Sequence, residues 1–207
     1  MQGSAKGTVF IVDDDHGVRQ GMKFLVRSVG LDAEAFPSAD AFLENFDKER
    51  AGCLVLDIRM PGMGGLDLQD RLLSLGSPLP IIFITGHGDV PMAVEAMQKG
   101  AFDFIQKPFR DQDLLERIGE ALNADRRERS ERARRSDVAT RLEKLTDRER
   151  EVLELVVAGK PNKVIAYELG VSQRTVEIHR ARVMDKMRAR SLADLVRMRL
   201  YVDSAAD

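Results

Sequence analysis

The 207-residue chain is long for one compact domain and comfortable for two, and its 43% hydrophobic and 32% charged residues exclude a largely disordered chain. The single cysteine, Cys53, excludes an intramolecular disulfide framework, no apolar run approaches the roughly 20 residues of a membrane span, and MQGSAKG lacks a signal peptide's apolar core, so a cytoplasmic protein with no membrane role is expected. The formal net charge of -2 hides a gradient: residues 1–123 carry 12 Lys/Arg against 19 Asp/Glu, residues 124–145 carry 8 against 5, and residues 146–207 carry 12 against 10, a segregation that points the C-terminal half toward a polyanion.

In chain order, the first 110 residues alternate short β-rich runs with helix-length segments. TVFIV (Thr8–Val12), LDAEAF (Leu31–Phe36), CLVLD (Cys53–Asp57), PIIFIT (Pro80–Thr85) and FDFIQ (Phe102–Gln106) are predicted strands. Between them Val18–Val29, Ser38–Phe46, Gly65–Leu75 and Val90–Lys99 carry apolar residues at helical spacing, and Asp111–Asn123 follows the last strand. Strict alternation implies an α/β doubly wound, five-stranded parallel sheet with helices on both faces, over residues 7–123.

Ligands of such a sheet bind beyond the carboxyl ends of its strands, where strand order reverses. Asp13, Asp14 and Asp15 follow the first strand, Asp57 ends the third, Thr85 ends the fourth and Lys107 follows the fifth, so all six are expected at one edge. Clustered carboxylates repel unless a cation neutralises them, and an oxygen-only cluster at a wet site suits magnesium, with manganese as a substitute. Phosphoryl transfer to a carboxylate needs these parts: an attacking Asp, a metal, a hydroxyl and a lysine for the phosphoryl oxygens. Asp14, Asp57, Thr85 and Lys107 supply them jointly, although each alone reads as an ordinary cap or turn residue.

DRRERSERARRSD (Asp125–Asp137) has hardly an apolar residue, but Glu128 with Arg132 and Glu131 with Arg135 stand in the favourable i,i+4 order. Residues 124–144 are read as a solvated helical linker, the alternative being a disordered basic tether. Beyond it the pattern is wholly helical over 145–203, with four helices expected. Thr146-x-x-Glu149 is a capping box for a helix stopping at Gly159, KPNKVIAYEL forms a second, Ser172 caps a third over Gln173–Met187, and Ser191 caps a fourth; the tail from Asp203 is expected to fray. Two helices across a tight Gly-containing turn make a helix-turn-helix over Asn162 to Ala181.

VDDD (Val12–Asp15), LDIRMPGMGG (Leu56–Gly65), ITGHGD (Ile84–Asp89) and DFIQKPF (Asp103–Phe109) resemble the signatures of a two-component receiver domain. LTDREREVLELVVAGKPNKVIAYELGVSQRTVEIHRARVMDKM (Leu145–Met187) resembles the LuxR-type helix-turn-helix. Together they are similar to the FixJ/NarL family of response regulators, nearer the FixJ branch. The resemblance implies that Asp57 is the phosphoacceptor, Asp14 a direct and Asp13 an indirect magnesium ligand, and the Arg59 carbonyl a backbone ligand. Thr85 and Lys107 would hold phosphoryl oxygens, Phe104 would be the switch aromatic unless it is a plain core residue, and Lys107–Pro108 would be a cis peptide.

On the third helix, Val176, Val183 and Met187 share one face, while Arg174, Ile178, Ala181 and Asp185 point the other way. An outward isoleucine suits a thymine methyl, Glu177 suits a cytosine amino group, and Arg174, His179, Arg180 and Arg182 suit phosphates; Thr175 and Ala181 complete the expected DNA-binding set. The expectation is a transcription regulator phosphorylated by a sensor histidine kinase, dimerising on phosphorylation to bind promoter DNA with two-fold-related half-sites beside RNA polymerase. It is not an enzyme apart from phosphoryl transfer to and hydrolysis from Asp57. The alternatives are a regulator that works without phosphorylation, using the receiver as a dimerisation scaffold, and a haloacid-dehalogenase-type phosphatase, disfavoured because Arg59 stands where its second carboxylate belongs.

Overall fold

The computed structural model describes residues 7–86 and 90–203, so His87–Asp89 of the ITGHGD motif, most of MQGSAKG and the tail beyond Asp203 lie outside the described residues. The chain forms two compact units, one ending at Arg129 and the other starting at Ser130.

The first unit is the expected doubly wound sheet. β1 (Thr8–Val12), β2 (Asp32–Phe36), β3 (Gly52–Asp57), β4 (Ile81–Thr85) and β5 (Asp103–Gln106) alternate with α1 (His16–Ser28), α2 (Ala39–Glu44), α3 (Gly65–Ser74), α4 (Val90–Gln98) and α5 (Asp111–Glu143). All pairings are parallel, in the order β2-β1-β3-β4-β5. β3 and β4 are buried throughout, as central strands covered on both faces must be. Val9, Ile11, Cys53, Val55, Ile82 and Ile84 pack on one face against Met22 and Val26 of α1 and Leu114 and Ile118 of α5. The alternate residues Phe10, Leu54, Leu56 and Phe83 pack on the other against Phe42, Leu68 and Ala96 of α2, α3 and α4. Burial also pushes the Cys53 thiol far up, consistent with an inert core residue.

The chain order reverses between β1 and β3, so the carboxyl ends of these strands form the crevice. Backbone bonds prolong the ladder there: Ile58 N–H donates to the Ile84 carbonyl at 3.1 Å and Lys107 N–H to the Thr85 carbonyl at 2.7 Å. Gly65 opens α3 directly against this edge. A Cβ there would stand 2.5 Å from the Asp57 carbonyl oxygen, so only glycine lets the loop after β3 fold back so tightly. The Lys107–Pro108 peptide is cis.

The second unit holds α6 (Asp147–Val157), α7 (Asn162–Leu169), α8 (Gln173–Met187) and α9 (Leu192–Asp203). The Thr146 capping box forms with both bonds, Glu149 N–H to Thr146 Oγ1 at 3.3 Å and Thr146 N–H to Glu149 Oε2 at 2.8 Å. Ser172 Oγ accepts from Thr175 N–H, and Gly170 ends α7 in the left-handed region at φ 65°. Val176, Val183 and Met187 are buried on one face of α8 among Val152, Leu153, Ile165 and Leu195, as the helical spacing predicts.

The stretch expected as a solvated helical linker, residues 124–144, is helical, as α5 is continuous to Glu143, but the two units divide it between them. Asp125, only 2% exposed, accepts the Gly52 N–H at 3.0 Å and both its oxygens take the Arg129 Nε. The rest of the Arg129 guanidinium donates to the Lys48, Glu49 and Arg50 carbonyls at 3.1, 3.1 and 2.6 Å. Farther on, Val138 is buried in the core of the second unit, Arg141 donates to the Met187 carbonyl, and Arg134 and Arg135 stack on the Tyr201 ring. A charged run thus packs because its arginines answer backbone carbonyls and a ring that lie far away in sequence. Breaking one partner of a buried pair costs about 3 to 5 kcal/mol. Arg129→Ala should therefore lower the urea midpoint of the unit ending at Arg129 by a loss of about 3 kcal/mol, and an unchanged midpoint contradicts this role.

Candidate functional site

At the sheet edge the β1–α1 turn divides its three carboxylates. Asp13, 1% exposed, accepts the Asp15 N–H on Oδ1 at 2.8 Å. Asp15 caps α1, its Oδ1 accepting the Val18 N–H at 2.9 Å, and Asp14 is exposed to solvent. Arg19 holds the turn from α1 by donating to the Asp13 carbonyl at 2.7 Å.

Asp57, 9% exposed, faces the same space. Its Oδ2 accepts the Arg59 N–H at 3.0 Å, and its Oδ1 accepts the Lys107 ammonium at 2.8 Å. The same Nζ donates to Asp13 Oδ2 at 3.1 Å, so one ammonium from the end of β5 bridges two buried carboxylates at the ends of β1 and β3. Burial raises the Asp57 carboxyl above its ordinary range. The hydrogen bond and charge of Lys107 pull it down, the charge of Asp13 pushes it up again, and the Arg59 N–H lowers it, the balance remaining upward. Burial would lower the Lys107 amine, but Asp57 and Asp13 outweigh it and hold that pKa above the usual lysine value. Two carboxylates against one ammonium leave the pocket short of positive charge.

Thr85 is buried, with Oγ1 donating to the Ile105 carbonyl at 3.4 Å, and the neighbouring Phe104 turns outward at 42% exposure. Asp13, Asp57 and Lys107 are therefore brought together, whereas Asp14 faces solvent and the Thr85 hydroxyl is engaged elsewhere. Among the described residues no three His, Cys, Asp or Glu side chains form a metal-ligand group.

On α8, Arg174, Glu177, Ile178, Ala181 and Arg182 are exposed, Ile178 by 45%. The others of the expected set turn inward. Thr175 Oγ1 lies 2.9 Å from Ser172 Oγ, Arg180 donates to Asn162 Oδ1 at 2.8 Å, and His179 is half-buried. Glu149 of the capping box is buried and takes the Lys186 ammonium at 2.6 Å, tying α6 to α8.

The sequence reading missed Arg19, Arg129, the Asn162–Arg180 bond and the Glu149–Lys186 pair. Only Glu149 carried a local signal, its place in the capping box. The other partners are set by the fold.

Comparison with known proteins assigns both units. Residues 9–119 match the response regulator receiver domain model and residues 143–199 the model of bacterial regulatory proteins of the luxR family. The chain belongs to the response regulators with a LuxR-type DNA-binding domain. This response regulator is 50% identical to the transcriptional regulatory protein FixJ of Rhizobium meliloti (strain 1021) over 193 residues, 93% of this chain and 95% of that protein. It is 49% identical to nodulation protein W of Bradyrhizobium diazoefficiens over 197 residues, 95% of this chain and 87% of that protein. Among solved structures, the response regulator StyR shares 47% identity at a TM-score of 0.86, covering 94% of this chain and 98% of that one. Full-length FixJ from B. japonicum shares 43% at 0.61, covering 96% and 98%. FixJ and StyR are named as regulators, which leaves the phosphatase alternative without support. Among the described residues no helix is long and apolar enough to cross a membrane.

The tie between α6 and α8 has a pH consequence. Burial alone would raise the Glu149 carboxyl, but the Lys186 and Thr146 hydrogen bonds and the Lys186 charge hold it below the ordinary glutamate value. A carboxyl depressed by folding stabilises the fold above its unfolded pKa and loses that contribution as pH falls through the folded one. Circular dichroism at falling pH should show Glu149→Gln less stable than wild type near neutrality, with the difference closing below about pH 4. A gap that stayed constant to pH 3 rules this linkage out.

Proposed function

We propose that this chain is a phosphorylation-controlled transcription factor. Asp57 accepts a phosphoryl group from the phosphohistidine of a sensor histidine kinase, the protein pairs with a second copy, and α8 binds promoter DNA with two-fold-related half-sites beside RNA polymerase. The observation that carries this reading is the single Lys107 ammonium bridging Asp13 and Asp57 at the strand-reversal crevice.

Asp57 is held rigidly there by β3 and by the Arg59 N–H, so one carboxylate oxygen can be aimed along the line of attack. The Asp57 oxygen bonds to phosphorus as the phosphorus–nitrogen bond of the phosphohistidine breaks, its electron pair remaining on the imidazole nitrogen. Lys107, already placed beside Asp57, pairs with an oxygen of the transferred group.

Response regulator receivers generally bind magnesium at their acidic pocket, and these residues fit it. The donors are hard oxygens, and Asp13 and Asp57 exceed the one ammonium beside them before exposed Asp14 is added. Asp14, Asp57 and the Arg59 carbonyl would hold the ion, with Asp13 acting less directly; manganese suits the same oxygens. When bound, it offsets the charge of the phosphoryl oxygens.

The switch begins at Thr85. Its hydroxyl must leave the Ile105 carbonyl to donate to a phosphoryl oxygen, which vacates space beside β5 for the outward Phe104 ring. A phenylalanine there moves for packing alone, since its ring has no hydroxyl to hydrogen-bond. Val94, Met97 and Phe104 expose apolar surface on α4 and β5, which with α5 form the proposed dimer face.

Light scattering and DNA binding with magnesium and a small phosphoryl donor test the scheme. Wild type should double in mass and bind DNA at least tenfold more tightly, while Asp57→Asn should respond in neither. Thr85→Ala should become phosphorylated without doubling. A wild type unchanged by the donor, or an Asp57→Asn variant that responds equally, sinks the proposal.

A further inference from the structure

The inference rests on the reading of α8 as the DNA-contacting helix and concerns which bases it selects. Of the residues expected to touch DNA, the structure separates two groups. Thr175 is occupied in the cap with Ser172, and Arg180 holds the first residue of α7. Arg174, Glu177, Ile178, Ala181 and Arg182 remain on the exposed side, opposite the buried Val176, Val183 and Met187.

Two members of the exposed group are out of place on a surface built for phosphates. Glu177 puts a negative charge there, and among the described residues its carboxylate has no ion pair or hydrogen bond that would explain it as part of the domain's own scaffold. Facing a phosphate, it would only repel. Ile178 exposes 45% of an apolar side chain on the face opposite the buried residues of α8. Both anomalies are resolved in a major groove.

A carboxylate can only accept. Cytosine offers an amino donor at its groove edge, whereas adenine sets the N7 acceptor beside its amino group and guanine offers two acceptors, each repelling a carboxylate. An isoleucine finds its match in the thymine methyl. The two side chains are consecutive on the helix, separated by about 1.5 Å of rise against about 3.4 Å per base pair, so they reach the same or adjacent steps. Arg180, by bonding Asn162, fixes the roll of α8 that presents them.

We propose that Glu177 and Ile178 are the specificity-determining residues of α8, selecting a half-site in which a cytosine lies within one step of a thymine. Arg174 and Arg182 contact phosphates, and Arg180 is a positioning residue.

The full chain, treated with magnesium and acetyl phosphate, is used to select duplexes from a randomised DNA pool. Wild type should enrich half-sites with this cytosine and thymine, and replacing the cytosine should weaken binding roughly five- to a hundredfold. Glu177→Gln, isosteric and exposed, should move the preference at that one position to adenine, because a carboxamide both donates and accepts. Deoxyuridine in place of the thymine, which removes one methyl, should weaken wild type about fourfold and leave Ile178→Ala unaffected. Arg174→Ala should weaken all sequences alike and flatten the salt dependence. Identical selections by wild type and Glu177→Gln, or a deoxyuridine duplex bound as well as thymine, overturn the inference. Salt-dependent binding without any enriched base overturns it while leaving α8 a DNA-binding helix; no binding at all overturns the reading on which it rests.

Discussion

The first unit is organised around one ammonium group. Lys107 reaches Asp13 and Asp57 at 3.1 and 2.8 Å, and each of the three residues sits where it does because a parallel strand ends beside it. Carboxylates so little exposed are costly to bury and worse to leave without their cation. The sheet must therefore hold its strand ends in register to keep the lysine and the carboxylates together. The fully buried β3 and β4 supply that rigidity, and Gly65 lets the following helix close over the edge. Burial raises the Asp57 carboxyl while the two carboxylates hold the Lys107 amine up, so the pocket carries more negative charge than its one ammonium offsets.

The second unit uses buried polar ties in a different way. The Thr146 capping box, the Glu149–Lys186 pair and the Arg180–Asn162 bond all act on the orientation of α6, α7 and α8, and none of them lies on the outward face of α8. Arg148 adds another, donating to the Leu169 carbonyl at the end of α7. Orientation is secured from within, which leaves the exposed residues free to differ. Exposed positions of α8 such as Glu177 can thus vary without disturbing the helix-turn-helix.

Much of this was legible in the chain. The five strands were recoverable to within a residue because central parallel strands are continuous apolar runs closed by Gly, Pro or Asp, and α8 matched its predicted bounds because Ser172 caps it and its apolar residues recur at helical spacing. The acidic edge was legible because topology alone sends the ends of β1, β3, β4 and β5 to one side. The division of the long helix was not. Asp125 and Arg129 read as solvated charges until Gly52 and the carbonyls of residues 48–50 are seen beside them, more than 70 positions away.

By itself, the sequence determined the alternation of elements, the hydrophobic faces, the helix caps and the membership of Asp13, Asp14, Asp57, Thr85 and Lys107 in one edge, because each follows from local periodicity and the rules of parallel sheets. Tertiary structure alone decided which of these groups touch. It buried Asp13 and left Asp14 in solvent, set the Thr85 hydroxyl on the Ile105 carbonyl, and drew Arg180 toward Asn162 while leaving Glu177 outside. The physical reason is that a hydrogen bond depends on ångström distances between chain segments remote in sequence, which periodicity does not encode.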